Sequence, residues 1–540
     1  MFARLTGTPA AQSLAQRLEK GKLLSVFGVN AAAQPFFAAA LHQLFPERPI
    51  VLVADNLKTQ ESFQQDLETW TRSSPSPGRG NSQSSILNPL LFYPEWEIFP
   101  HESKLPHADV ISDRLETLIQ LTQRSNASPS SGPIVVTSII ALLQRTFERS
   151  ALEHATRTFR RGDHIEPLDL IEWLEDQGYE PEAQVTQKGE IALRGGILDV
   201  FPLTSPWPVR LEFFGDELES LRYFDPQTQM SREEIPSVSI PPGGELGLLK
   251  KALGETENRG NGESKTGRTA VTASLLDYLP DETLFVLCEP EGLAERADEY
   301  ERQVNAGDPF FISWNDFHAE AERRGCVQVE IHDARPEEFG AEGEEAAVDL
   351  SIASLDAYRP LAERAPEIQI AEAQRREFFQ QLHRWVRQEY AVHIFCNNDG
   401  EQQRFQEIWR DQVKSISDSN GKNEQTELSP QFHLGSIARG FICEPAKCVV
   451  VTDAEVFGRY KVQRARRLKS PHAQASRSAL DIDFTELEEG DLVVHVQHGV
   501  GRFLGLKILP IGAGTKPTDK ANPASNTECL VLEYAASDSA

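Results

Sequence analysis

Sulfur is scarce in this sequence: 2 methionines and 6 cysteines in 540 residues. So few cysteines exclude a disulfide scaffold of the kind small secreted domains use. Among Cys288, Cys326, Cys396, Cys443, Cys448 and Cys529, only Cys443 and Cys448 lie close together. Their spacing is not that of a zinc knuckle and no second ligand pair follows, so the cysteines read as structural. His495 and His498 sit in an alternating segment that reads as a strand, which would turn their rings to opposite faces; no metal site is expected. No apolar run approaches the roughly 18–20 residues of a membrane helix. The N-terminal Met1-Phe2-Ala3-Arg4 lacks the layout of a signal peptide. Cations are also in deficit. Lys plus Arg number 54 against 82 for Asp plus Glu, a net charge of −28. A general nucleic-acid sleeve needs a basic surface, so that class is excluded. What remains is a soluble, cytoplasmic chain of about three to five domains, at roughly 100–200 residues each, and a monomer is expected.

A catalytic signature is missing too. The strand-to-helix segment Leu24–Pro35 is where a phosphate-binding loop would sit. Such a loop needs a second glycine for close backbone approach, a lysine to neutralise phosphate and a hydroxyl to hold magnesium. This chain has Gly28 in register, followed by Ala33, Gln34 and Pro35. The segment therefore predicts an ordinary turn that binds no nucleotide. Ser264-Lys265-Thr266 has its glycine misplaced, and Asp281-Glu282 precedes a strand where an ATPase acidic pair would end one. No nucleophile elbow and no HExxH occurs, so the sequence names no catalytic residue and no cofactor for this chain.

The residues that are present alternate between order and low complexity. Ser73–Ser85, Ser125–Gly132, Glu255–Thr269, Ser415–Glu427 and Gly512–Thr527 read as surface loops, and no fixed-period repeat is visible. Between them, apolar runs at Leu23–Phe27, Ile50–Val53 and Ile134–Val136 predict buried strands. Lys58–Trp70 and Val110–Leu121 carry helical spacing, and Ser138 is placed to cap a helix over Ile139–Phe147. Strands alternating with helices predict an α/β domain with a parallel sheet. Residues 150–240 differ: after a helix over Pro167–Gln177, alternating segments around Gly and Asp turns predict antiparallel hairpins. Strand-helix alternation returns over 275–290 and 390–460. Arg459–Lys469 is a basic stretch, and Glu488–Leu506 begins a compact β unit.

Three segments taken together carry a resemblance. They are Tyr93–Pro100 with Val110–Leu118, Gly189–Pro202 with Val209–Arg222, and Gly490–Leu506. In this order they resemble the N-terminal half of the bacterial transcription-repair coupling factors, the Mfd family. The resemblance implies an α/β multidomain fold. A UvrB-like α/β domain with a degenerate P-loop would occupy 1–150 and 241–360, with a UvrA-binding α+β hairpin domain inserted at 151–240. A small α/β connecting domain at 361–458 would follow, then a basic linker at 459–481 and a partial CarD/Tudor-like β-barrel at 482–540. It also implies UvrA and the RNA polymerase β subunit as partners. ATP, Mg and double-stranded DNA would engage only through a motor that this chain does not contain. The β unit is expected to be cut at its strand Cys529–Tyr534, leaving the core around Val493, Phe503 and Leu532 partly folded. Competing readings are a true UvrB-type ATPase or helicase, which the missing lysine at position 34 opposes, and a stand-alone CarD-like regulator, which the two upstream matches oppose.

The resemblance assigns UvrA contacts to Arg194, Arg210 and Phe214. Arginine and aromatic residues dominate interface energetics. The bland alternatives are a local pairing of Arg210 with Asp199 or Glu212, and a core position for Phe214. Polymerase contacts by strand pairing fall at Leu506 or Leu509, with barrel filling as the alternative, favoured for Leu506. The basic run at 459–469 reads as a solvated linker face. Tyr93 and Trp96 read as a packed loop, not as a damage probe.

Overall fold

The computed structural model describes residues 1–21, 23–72, 89–126, 131–258, 272–334, 348–358, 368–420, 429–452, 455, 492–495, 499–510 and 526–533. They divide into two compact units, Met1–His472 and Ala473–Ala540. The expectations for Ser73–Ser85, Ser264–Thr266, His498 and the basic run 459–469 lie outside the described residues.

The larger unit is organised on one eleven-stranded sheet. From one edge the strands are Gln431–Leu434, Ala391–Cys396, Cys448–Thr452, Phe441–Cys443, Val348–Ser354 and Leu24–Val29. Val327–Ile331, Leu284–Cys288, Ile50–Ala54, Ile134–Ser138 and Leu90–Tyr93 complete the order. Every pairing is parallel except the two made by Phe441–Cys443. A parallel sheet is covered on both faces, so its strands read as unbroken apolar runs. Ile50–Ala54 (IVLVA) is such a run and is buried throughout. One face packs a core around Phe36, Trp70 and Phe441, and the other a core around Leu115, Leu142, Phe285 and Phe317.

Segment 361–458 was expected as a separate α/β domain. It has its own core around Phe379, Leu382 and Phe405. Its strands nevertheless continue the same sheet, joined through Phe441–Cys443 against Val348–Ser354. Ser138 caps its helix as expected, its Oγ accepting from Ala141 N–H at 3.2 Å. That helix stops at Leu143, short of the expected Phe147, because Thr146–Phe147 leaves to pair with Thr272–Ala273. Three expected loops also begin inside helices: Ala108–Asn126 takes in Ser125–Asn126, Leu246–Asn258 takes in Glu255–Asn258, and Asp399–Asn420 takes in Ser415–Asn420. Helical spacing upstream carries these polar residues along as the helices' final turns.

The hairpin module is set off from this sheet. Glu180–Pro181, Glu190–Arg194, Ile197–Val200, Val209–Phe214, Glu217–Phe224 and Ser231–Glu234 form a six-stranded sheet in chain order, antiparallel from Glu190–Arg194 onward. Its inner face buries Leu198, Leu211 and Leu221 against Leu170 and Leu174 of the helix Pro167–Asp176. Just beyond the module lies a fully buried ion pair. Arg114 Nε and Nη2 donate to the Glu245 carboxylate at 2.8 and 3.1 Å. The Arg114 guanidinium lies 4.2 and 4.7 Å from the ring centroids of Tyr93 and Trp96. Trp96 Nε1 and Thr146 Oγ1 donate to the same carboxylate at 2.9 and 2.7 Å. Tyr93 and Trp96 are thus packed, as the sequence reading expects, and they wall in an arginine.

In the smaller unit, Gly499–Pro510 lies between Leu492–His495 and Asn526–Glu533 in a three-stranded antiparallel sheet. Phe503 is buried and stands opposite Leu532.

Candidate functional site

The outer face of the hairpin module carries the expected cluster. Leu198, Leu211 and Leu221 sit opposite one another and point inward, so their neighbours Asp199, Arg210 and Arg222, also in register, take the opposite face. Asp199 is almost wholly buried there. Arg210 Nε and Nη2 donate to its two carboxylate oxygens at 2.8 and 2.9 Å, a bidentate pair. These hydrogen bonds outweigh desolvation and raise the Arg210 pKa. Arg194 reaches the same carboxylate from the neighbouring strand, at 3.8 Å, with half of its side chain in solvent. Phe214 ends its strand at the tight Gly215 turn (φ +65°) and is 80% exposed. The local pairing of Arg210 with Asp199 is therefore present, while the core alternative for Phe214 is not. Sequence reasoning gave no role to Asp199 as the anchor of both arginines. The signal available was a lone aspartate alternating with apolar residues in Ile197–Val200.

Carboxylates surround the turn at which a phosphate loop would sit. Gly28 lies within the strand Leu24–Val29, not at the turn. Its φ of +65° and the Asp349 carboxylate against its Cα leave no room for a side chain. The turn itself is Asn30 and the 3-10 segment Ala31–Ala33, and Gln34 and Pro35 open the helix Gln34–Leu44. Where a lysine would neutralise phosphate, Gln34 Nε2 donates to Glu289 Oε1 at 2.8 Å. Asp333 N–H donates to the same carboxylate at 3.1 Å, and Asn30 Nδ2 donates to Asp333 at 2.9 Å. Burial, with Asp333 and Glu291 adding repulsion, pushes Glu289 up to about 7. A carboxyl raised in the folded state favours folding while protonated. Its contribution is lost as pH rises from the ordinary carboxylate range through about 7. Glu289→Gln is therefore expected to raise the urea midpoint of the chain at pH 8 and to leave it nearly unchanged at pH 5. An equal shift at both pH values would remove Glu289 as the titrating group.

In the smaller unit, Leu506 stands opposite Leu530 and Leu509 opposite Thr527. Leu492–His495 covers the other edge of the central strand only along Gly499–Arg502. Beyond that point, among the described residues, the edge bearing Leu506 and Leu509 has no strand beside it. Also among the described residues, no helix is long and apolar enough to cross a membrane.

Two family models match the chain: the UvrB interaction domain over residues 158–245 and the CarD-like/TRCF RID domain over 487–540. Curated relatives extend this likeness along nearly the whole sequence. The transcription-repair-coupling factor of Myxococcus xanthus is 25% identical over 99% of this chain. Those of Bacillus subtilis and Haemophilus influenzae are 26% and 28% identical over 90% and 94% of it. Along nearly its whole length this chain is similar to transcription-repair coupling factors. It spans 46%, 42% and 45% of the lengths of those three relatives, less than half of each. Within the coupling-factor family match, Arg194, Arg210 and Phe214 fall inside the UvrB interaction domain, and Leu506 and Leu509 inside the CarD-like domain. The Arg114–Glu245 pair ties the last residue of the first match to the parallel-sheet body.

Proposed function

We propose that this chain is the partner-binding region of a transcription-repair coupling factor, docking UvrA through the outer face of the hairpin module. The exposed Phe214, on the same hairpin sheet as the half-exposed Arg194 and within the segment that matches the UvrB interaction domain, carries this reading. Aromatic and arginine side chains reaching solvent are the composition of an interface hot spot. The second contact is with the RNA polymerase β subunit. There the open edge at Leu506–Leu509 accepts a strand, a mode in which backbone hydrogen bonds supply affinity. For polymerase release driven by ATP and Mg on double-stranded DNA, these 540 residues carry no GxxxxGK[ST] loop. The region Gly28–Pro35 is a phosphate loop emptied of its function, in a UvrB-like body.

Titration of purified chain with the UvrA of the same genome tests the first contact; saturable binding supports it and a flat titration overturns it. Pull-down of RNA polymerase core enzyme, with Leu506→Pro removing a ladder N–H, tests the second. Retention by wild type and loss in the variant is the expected result. Steady-state phosphate release from ATP, with and without duplex DNA, is expected to stay at background. With Gln34 and three carboxylates at the loop, a triphosphate would meet repulsion and no lysine. Turnover that survives an independent purification would overturn that reading.

A further inference from the structure

Arg210 has little donor capacity left for a partner. A guanidinium carries five N–H groups. Nε and one N–H of Nη2 are spent on Asp199, at 2.8 and 2.9 Å. Nη1 donates to Gln229 O and Ser231 Oγ at 3.4 and 3.5 Å. The flat face of the group lies 4.7 Å from the Phe224 ring centroid, and only 15% of the side chain is exposed. What these bonds hold is the turn from Asp225 to Met230. Asp225 Oδ1 accepts from Gln227 and Thr228 N–H at 2.9 and 3.0 Å, and Asp225 N–H donates to Met230 O at 3.0 Å. Gln229 adopts a left-handed φ of 59°, uncommon outside glycine. Its side chain is tied down, Nε2 donating to Val185 O and Pro226 O at 3.1 and 2.8 Å. Arg194 Nη2 donates to the Oε1 of the same glutamine at 3.5 Å. The product of all this fixing is a methionine held out in water, 69% exposed.

We propose that Met230 is a second apolar contact of the UvrA-docking face, and that Arg210 is a positioning residue that acts through the Asp225–Met230 turn. The inference rests on the reading of this face given above. The occupant is UvrA, because the turn is continuous with Arg194 through Gln229. Phe214 lies four residues from Arg210, about 13 Å along the strand. The face therefore presents two exposed apolar side chains, Phe214 and Met230, together with the half-exposed Arg194 tied to the turn through Gln229, which fits a surface with two apolar hollows and acceptor oxygens nearby. A thioether is soft and conformationally adaptable, suited to such a hollow.

The test is titration of UvrA against variants of the full chain, with folding checked by circular dichroism. Met230→Ala is expected to weaken binding about tenfold and Met230→Glu further. Arg210→Lys is expected to bind as weakly as Arg210→Ala, since one ammonium cannot hold both Asp199 oxygens and the turn. In a Met230→Ala background, Arg210→Ala should then cost less than about threefold more. Wild-type affinity in both Met230 variants, with Phe214→Ala and Arg194→Ala still weakened, would overturn the methionine contact while leaving the face in place. Restored binding in Arg210→Lys would overturn the positioning role. Wild-type affinity in all of them would remove the face itself, and the inference with it.

Discussion

Phe214→Ala is expected to weaken UvrA binding by about thirtyfold or more while leaving the thermal midpoint of the chain unchanged. The two halves of this expectation have separate causes. The ring is 80% exposed, so its removal opens no cavity and forfeits little buried area. In a complex the same ring would be desolvated, and truncating a true hot-spot residue costs about 2 kcal/mol or more, which converts to that fold-change. Isothermal titration for affinity and differential scanning calorimetry for stability separate the two. A variant that binds as tightly as wild type would show that the ring contributes nothing at the interface. A lowered midpoint would show that it packs against the module after all.

The second large effect concerns the buried pair. Arg114→Met is expected to destabilise the larger unit by about 3–5 kcal/mol, the range for removing one partner of a buried ion pair. The Glu245 carboxylate would lose two of its four side-chain donors and keep only Trp96 and Thr146, with no countercharge. Arg114 also closes a bond to Pro94 O at 2.9 Å and packs between two aromatic rings, so part of the loss is contact area. Pairing Arg114→Met with Glu245→Leu is expected to recover much of the loss, because no orphaned charge then remains. Urea unfolding followed by far-ultraviolet circular dichroism measures both. Equal loss in the single and double variants would show that aromatic packing, not the charge, holds this junction.

Legibility followed the range of each interaction. Ile50–Ala54 and Ile134–Ser138 were readable because a strand buried on both faces must be apolar throughout. The strand-to-helix turn before Gln34–Leu44 was readable because the apolar run Leu24–Val29 ends where Gln34 and Pro35 open a helix. Arg210 was half readable. Sequence offered both Asp199 and Glu212, and only the cross-strand register, with Arg210 directly opposite Asp199, selects between them. The Arg114–Glu245 contact joins positions 131 apart, and nothing local marks it. The strand Phe441–Cys443 is three residues long, too short for periodicity to reveal that it runs against its neighbours. Met230 depends on a turn whose left-handed residue is a glutamine, where glycine or asparagine would have been the signal.

The position of Leu24–Val29 in the sheet has a consequence for synthesis. This early strand has Val327–Ile331 on one side and Val348–Ser354 on the other. On a ribosome adding about 5–20 residues per second, its two neighbours emerge some 300 residues later, roughly 15–60 seconds after it. Throughout that interval an apolar strand has both edges unpaired, while Ile50–Ala54 and Ile134–Ser138 can already join each other. The nascent chain therefore carries an open half-sheet while about 300 residues are added. A chaperone that shields apolar segments of nascent chains would have to cover this strand until its two neighbours emerge.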